Sequence, residues 1–360
     1  MEGEIQKAAT GARKAWPTVM SWVGGITALI GLFGSLAGGV AWFVNHHRQQ
    51  TERQAKIALA QAQAAQGEYE ASVHTDADLL KADPLDRAVL DQQLNTTLLW
   101  VEDFHVLVGE GESATATAGP ALDEMMAILD AGLARSKGQQ AADVQAHIGW
   151  AHWLNQHIAE REFGAAPEQN FRAALAADPT NVYANAMMGN WMLQEQDRGS
   201  FAEAVQHFNT AVSTGKARPF VRALQLGALV DLDEKGARAA VVKVANDMRK
   251  SGEPLDEDRK SRIMTFCFDP MTTDHGGLAE SLTAVPSDEA WATYLWLDDK
   301  PEDARERSIK RSWVQAHLME ISGKADDALA QYRLLQGELK NRPGSLQDAV
   351  NAAVARLSHR

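Results

Sequence analysis

Residues 19–44 make 26 consecutive positions without an Asp, Glu, Lys, Arg or His. At about 1.5 Å of rise per residue, a helix of that length crosses the roughly 30 Å hydrocarbon layer of a bilayer. Trp22 and Trp42 stand at its two ends, where interfacial rings settle in a membrane helix. The segment therefore predicts one transmembrane helix over 19–44, behind a tail of residues 1–18. A signal peptide competes, because Gly39-Val40-Ala41 loosely resembles a cleavage site, but the apolar stretch exceeds the roughly 7–15 residues of a signal core. Gly24, Ala28, Gly31, Ser35 and Gly38 recur along it at steps of four and three. Such a small-residue stripe lets two membrane helices pack closely. The lipid bilayer and a second copy of the chain, paired through this helix, are the partners these features predict.

Beyond residue 44 the chain holds 46 acidic against 32 basic side chains, within an overall net charge of −13. That balance argues against nucleic acid, which needs clustered Lys and Arg. Only 11 prolines and 4 tyrosines accompany abundant Ala, Leu, Gln and Glu, which predicts an all-α chain. Residues 46–66 contain no Gly or Pro and predict a helical extension of the anchor over 45–66. More than 300 residues outside the anchor require either two or three domains or a repeat array. Cys267 is the sole cysteine, so an intrachain disulfide and a cysteine-based zinc site are excluded.

An array is favoured by recurrence. Ala186-Met187-Met188-Gly189 precedes a helix with Phe201, Ala204, Val205, Phe208, Ala211 and Val212 on one face. Ala146-His147-Ile148-Gly149 precedes Phe171, Ala174, Leu175 and Asp178-Pro179, and Leu226-Gly227 precedes the Ala237 to Met248 segment. Glycine in such a pattern admits a neighbouring helix at close range. These copies resemble the tetratricopeptide (TPR) repeat, with weaker matches from Gly67-Glu68-Tyr69 to Asp83-Pro84 and at Gly323, Ala328, Leu329 and Tyr332. The resemblance implies an α-solenoid of helical hairpins: divergent copies over 67–140, a core over 141–250, an irregular helical insert over 251–302, and a last hairpin with a capping helix over 303–360. Residues 160–166 are expected to form an extended loop, and the Gly/Ser/Thr-rich stretch from Gly109 to Gly119 a break. The resemblance also implies a groove for a protein or peptide, which Trp150, Trp153, Tyr183 and Asn190 would line.

Chemistry is sparse. Cys267 lies near Asp269, Asp274 and His275, a thiol and imidazole that would serve a hydrolase only if brought together in space. His147, His152 and His157 are spaced by five, whereas helical metal ligands want spacings of three or four. No phosphate loop, zinc-protease helix, serine elbow or calcium loop occurs in the sequence. The expectation is no enzyme, no cofactor and no metal. Lys7, Arg13 and Lys14 balance Arg48, Arg53 and Lys56 across the anchor, so charge leaves the orientation open. The chain resembles bacterial inner-membrane proteins with periplasmic TPR repeats. That resemblance implies a membrane-tethered scaffold, with a structural subunit assembled through its transmembrane helix as the alternative and a Cys267 hydrolase as a distant third.

Overall fold

The computed structural model describes residues 37–108, 112–159, 161, 167–194, 200–214, 218–269, 275–298, 304–342 and 344–359, and every regular element among them is an α-helix. In chain order these are α1 (Ala37–Ala65), α2 (Tyr69–Ala82), α3 (Arg87–Val108), α4 (Glu112–Leu133), α5 (Gly138–His157), α6 (Pro167–Ala177), α7 (Val182–Gln194) and α8 (Phe201–Ser213). They continue as α9 (Pro219–Leu229), α10 (Ala237–Ser251), α11 (Glu257–Phe268), α12 (His275–Thr283), α13 (Ser287–Leu297), α14 (Ala304–Ile321), α15 (Ala325–Leu339) and α16 (Ser345–Ser358). Local chemistry sets several ends. The Ser200 hydroxyl accepts the Glu203 N–H at 3.1 Å and the Asp256 carboxylate accepts that of Arg259 at 2.7 Å, each satisfying an N-terminal donor its helix leaves free. Gly252 closes α10 at φ +71°, donating its N–H towards Met248 and Arg249, a left-handed turn that suits glycine.

The chain divides into two units, one ending at Trp100 and the other running from Val101, so the division falls inside α3. In the first unit α1 and α2 pair through small buried residues. The Ser72 hydroxyl donates to the Ala60 carbonyl at 2.8 Å, and Val73 beside it is fully buried. The α3 amide Gln92 donates to Asp76 of α2 at 2.8 Å and accepts from Gln61 of α1 at 3.0 Å. Arg53 and Asp86 form an ion pair at the surface of this unit.

In the second unit α5 packs on α6 and α7 on α8, while α5, α7 and α9 lie side by side. A further core runs from α9 to α16 and includes Phe268, Tyr294, Trp313 and Tyr332. Close approach in the first two pairs depends on glycine. A Cβ at Gly149 would stand 2.7 Å from the Phe171 ring, and one at Gly189 would stand 3.0 Å from the Ala204 carbonyl oxygen and the Phe208 ring. We expect Gly149→Ala to destabilise the second unit by about 1–2 kcal/mol through overpacking, read as a lower denaturation midpoint. An unchanged midpoint would mean that the α5–α6 contact yields without strain.

The single-pass topology needs correction. Among the described residues no helix is long and apolar enough to cross a membrane. The helix that includes the end of the uncharged segment, α1, is described from Ala37 and continues unbroken past Arg48, Glu52, Arg53 and Lys56, so that from Asn45 to Lys56 it is almost entirely polar. Residues 19–36, with Gly24, Ala28, Gly31 and Ser35 of the packing stripe, lie outside the described residues, and Gly38 falls in the first turn of α1. The predicted membrane anchor, lipid partner, inner-membrane location and transmembrane pairing are therefore withdrawn.

One smaller expectation also changes. The break expected up to Gly119 is α4 from Glu112 onward, with Pro120 inside the helix. Within 251–302 stand the short helices α11, α12 and α13, with Pro254 between α10 and α11 and Pro286 at the N-cap of α13. Apart from Arg161, the loop expected over 160–166 lies outside the described residues.

Candidate functional site

The aromatic residues singled out by sequence converge where α5, α7 and α9 meet. Trp150, Trp153 and His157 follow one stripe of α5, with Trp150 and Trp153 stacked at 4.4 Å and Trp153 stacked on His157 at 4.1 Å. Phe220 of α9 presents its edge to Trp150 at 5.9 Å, and Tyr183 of α7 lies 6.5 Å from the same Phe220. The Arg218 guanidinium sits 4.7 Å above the Tyr183 ring, within cation–π range. Trp150, Tyr183 and Asn190 are 1%, 4% and 5% exposed, so three of the four residues expected to line an open groove belong to the helix interface. Trp153 alone is part-exposed.

Hydrogen bonding is incomplete among these residues, as it also is at Ser281 Oγ and Trp313 Nε1 elsewhere in the core. The indole Nε1 of Trp150, that of Trp153 and the amide Nδ2 of Asn190 are buried donors without an acceptor. A buried group without its hydrogen bond costs about 1–3 kcal/mol, and such groups are rare enough in folded proteins that each calls for an explanation. Here three come from two adjacent helices.

Below them runs a polar chain that the sequence did not suggest. His147, fully buried, lies 2.7 Å from the Asp143 carbonyl through Nδ1 and 2.9 Å from Glu102 through Nε2. A carbonyl only accepts, so Nδ1 carries a hydrogen. Whether Nε2 donates to a carboxylate or a carboxylic acid donates to Nε2, one further proton lies between the two side chains and the pair is neutral overall. The Asp143 side chain accepts from Asn181 at 2.7 Å, and Asn181 caps α7 by accepting the Ala184 N–H at 2.9 Å. Asn185 donates to the Asn181 carbonyl at 2.8 Å and accepts from His207 Nδ1, also at 2.8 Å. Burial raises the Asp143 carboxyl above its ordinary range, opposed by the Asn181 hydrogen bond, and lowers His207 and His152 below theirs. The network thus ties α3, α5, α7 and α8 together while keeping charge low. Glu102 was legible only as the first of two acids, Glu102-Asp103, behind Leu98-Leu99-Trp100-Val101.

The thiol reading fails on geometry. Cys267 is fully buried, its sulfur 3.9 Å from the Arg238 carbonyl, and desolvation pushes its ionisation far above the ordinary thiol range. A thiolate nucleophile needs the opposite environment, so the Cys267 hydrolase is withdrawn. Asp274 lies outside the described residues.

Compared with known protein families and with curated proteins, the chain matches none. The TPR assignment, the α-solenoid class drawn from it, and the membrane-tethered scaffold with its peptide groove are corrected accordingly. What stands is an all-α architecture whose glycine–aromatic recurrences follow from close helix packing.

Proposed function

We propose that the second unit is a non-catalytic binding unit that recognises a neutral, carbonyl-bearing small molecule through the α5–α7 face. The observation that supports this most is the set of three buried N–H donors, on Trp150, Trp153 and Asn190, without acceptors. Carbonyl oxygens satisfy such donors. A carboxylate would first have to be desolvated with no cation among the three donors to compensate, so a neutral acceptor is favoured. The part-exposed Trp153, stacked on exposed His157, provides the approach.

A second reading has its own support: the burial of Trp150 and Tyr183 and their packing on Phe220 suit residues that only hold three helices together. Replacing one donor at a time separates the two. In calorimetric titration with N-methylacetamide and with acetate, the binding reading expects the amide to bind more tightly, and Trp153→Phe and Asn190→Ala each to weaken it about tenfold, the equivalent of one charge-free hydrogen bond. Equal heats in all three proteins, or preference for acetate, would favour the purely structural role.

A further inference from the structure

The three recurring glycines do not share one fate. Gly149 and Gly189 are buried and covered by the rings of Phe171 and Phe208, whereas Gly227, in the corresponding position of α9, is exposed and has nothing within 4 Å of where a Cβ would stand. The open space beside it is shaped. Pro219, Arg222, Ala223, Leu226, Gly227 and Val230 follow one face of α9 and its C-cap at helical spacing, and they line two adjoining cavities of about 150 Å³ and about 30 Å³ that share Leu226 and Arg259. The opposite wall combines apolar Met248, Pro254, Leu255 and Ile263 with the Glu253 carboxylate. The larger cavity is the size that takes up one benzene ring, and the smaller one beside it is the one that Gly227 borders.

Charge narrows the ligand further. Arg222 is already engaged, donating to Glu253 at 3.0 and 3.3 Å and to Gln225 at 3.0 Å. Arg259 and Arg262 stand at the mouth, their side chains 44% and 60% exposed in surface pairs with Asp256 and Asp231. Exposed pairs of this kind contribute little and exchange readily for another anion. We infer that the α9–α11 cleft is a binding site for a small aromatic carboxylate, its ring in the larger cavity against Leu226, Met248 and Leu255, and its carboxylate in the smaller one, over the open Gly227 position and facing Arg259 and Arg262. The site is separate from the α5–α7 face and does not depend on that proposal.

The test is titration of the full chain with 3-phenylpropionate, 3-phenylpropan-1-ol and hexanoate, followed by backbone amide NMR. The expected result is saturable binding of 3-phenylpropionate that shifts the Gly227 and Val230 amides, with the neutral alcohol and the ring-free acid each about tenfold weaker. Gly227→Leu, which fills open space on an exposed helix position, is expected to abolish it, and Arg259→Gln with Arg262→Gln to reduce 3-phenylpropionate to the level of the alcohol. Equal binding of all three compounds, shifts confined to other residues, or undiminished binding in Gly227→Leu would overturn the assignment.

Discussion

Replacing Glu102 by Ala is expected to destabilise the second unit by about 3–5 kcal/mol, the sum of a large-to-small cavity and the unmade hydrogen bond of a buried imidazole. The carboxylate lies 2.9 Å from His147 Nε2, and His147 is fully buried with Nδ1 committed to the Asp143 carbonyl. Once Glu102 is truncated, Nε2 loses its side-chain partner. Glu102→Gln behaves differently. A neutral His147 with hydrogen on Nδ1 offers an acceptor at Nε2, which the new amide satisfies, so the loss should fall to about 1 kcal/mol. The double replacement Glu102→Met with His147→Leu removes both polar groups and should regain most of the stability lost in Glu102→Ala. Urea denaturation followed by tryptophan fluorescence ranks the variants. Equal losses in the Ala and Gln variants would refute the shared-proton account of this pair.

Asp76→Asn is expected to make the first unit more stable at neutral pH. The Asp76 carboxyl is fully buried, accepts one hydrogen bond from the neutral Gln92 amide, and has its second oxygen without a partner. Desolvation, only partly offset by Gln92, raises its ionisation to about 6. The folded state therefore keeps this proton to higher pH than the unfolded chain, whose carboxyl titrates near 4. Between those two values the native state binds more protons, so stability is fully present below about pH 4, falls as pH rises, and is lost by about pH 6. The difference corresponds to about 3 kcal/mol at pH 7 as an upper bound. Asn keeps the Gln92 contact without charge but leaves its own NH₂ unpaired, so a net gain of about 1–2 kcal/mol is expected. Hydrogen exchange of α2 at pH 5 and pH 7.5 reads it directly. Protection in the native protein should drop at the higher pH, after correction for intrinsic exchange, while the Asn variant stays level. A native protein with pH-independent protection would show that Asp76 is solvated.

The helices were legible because their signals are local. Ser200 and Asp256 are caps with the acceptor three residues before the N–H they satisfy, and Ala/Leu-rich segments with few prolines leave little alternative to helix. The glycine–aromatic recurrences were equally visible, and Gly149 with Phe171 and Gly189 with Phe208 do meet. Their membership in a known repeat family did not follow, since any tightly packed helix pair imposes a small residue opposite a ring. The uncharged stretch at 19–44 misled for a related reason. A run without charges meets the length rule for a membrane helix, yet no described helix is long and apolar enough to cross a membrane, and α1 joins the last residues of the run to the polar continuation already expected over 45–66.

The site was half legible. Trp150, Trp153 and Tyr183 announced themselves by residue type, yet the Phe220 on which Trp150 and Tyr183 meet lies dozens of residues away in sequence, and the meeting depends on how α5, α7 and α9 stack. Glu102 and His147 are 45 positions apart, and no local pattern joins them. Gly227 could be matched to Gly149 and Gly189 from spacing. Only the structure shows that the ring covering the other two is missing at the third.

The most direct test of the binding account is the pair of indole N–H resonances of Trp150 and Trp153. On addition of N-methylacetamide both should move downfield in a saturable way, as each buried donor gains an acceptor, and the Asn190 side-chain amide should move with them. Indole signals that stay fixed at saturating amide, with the three helices intact, would contradict it and leave this aromatic cluster as packing alone.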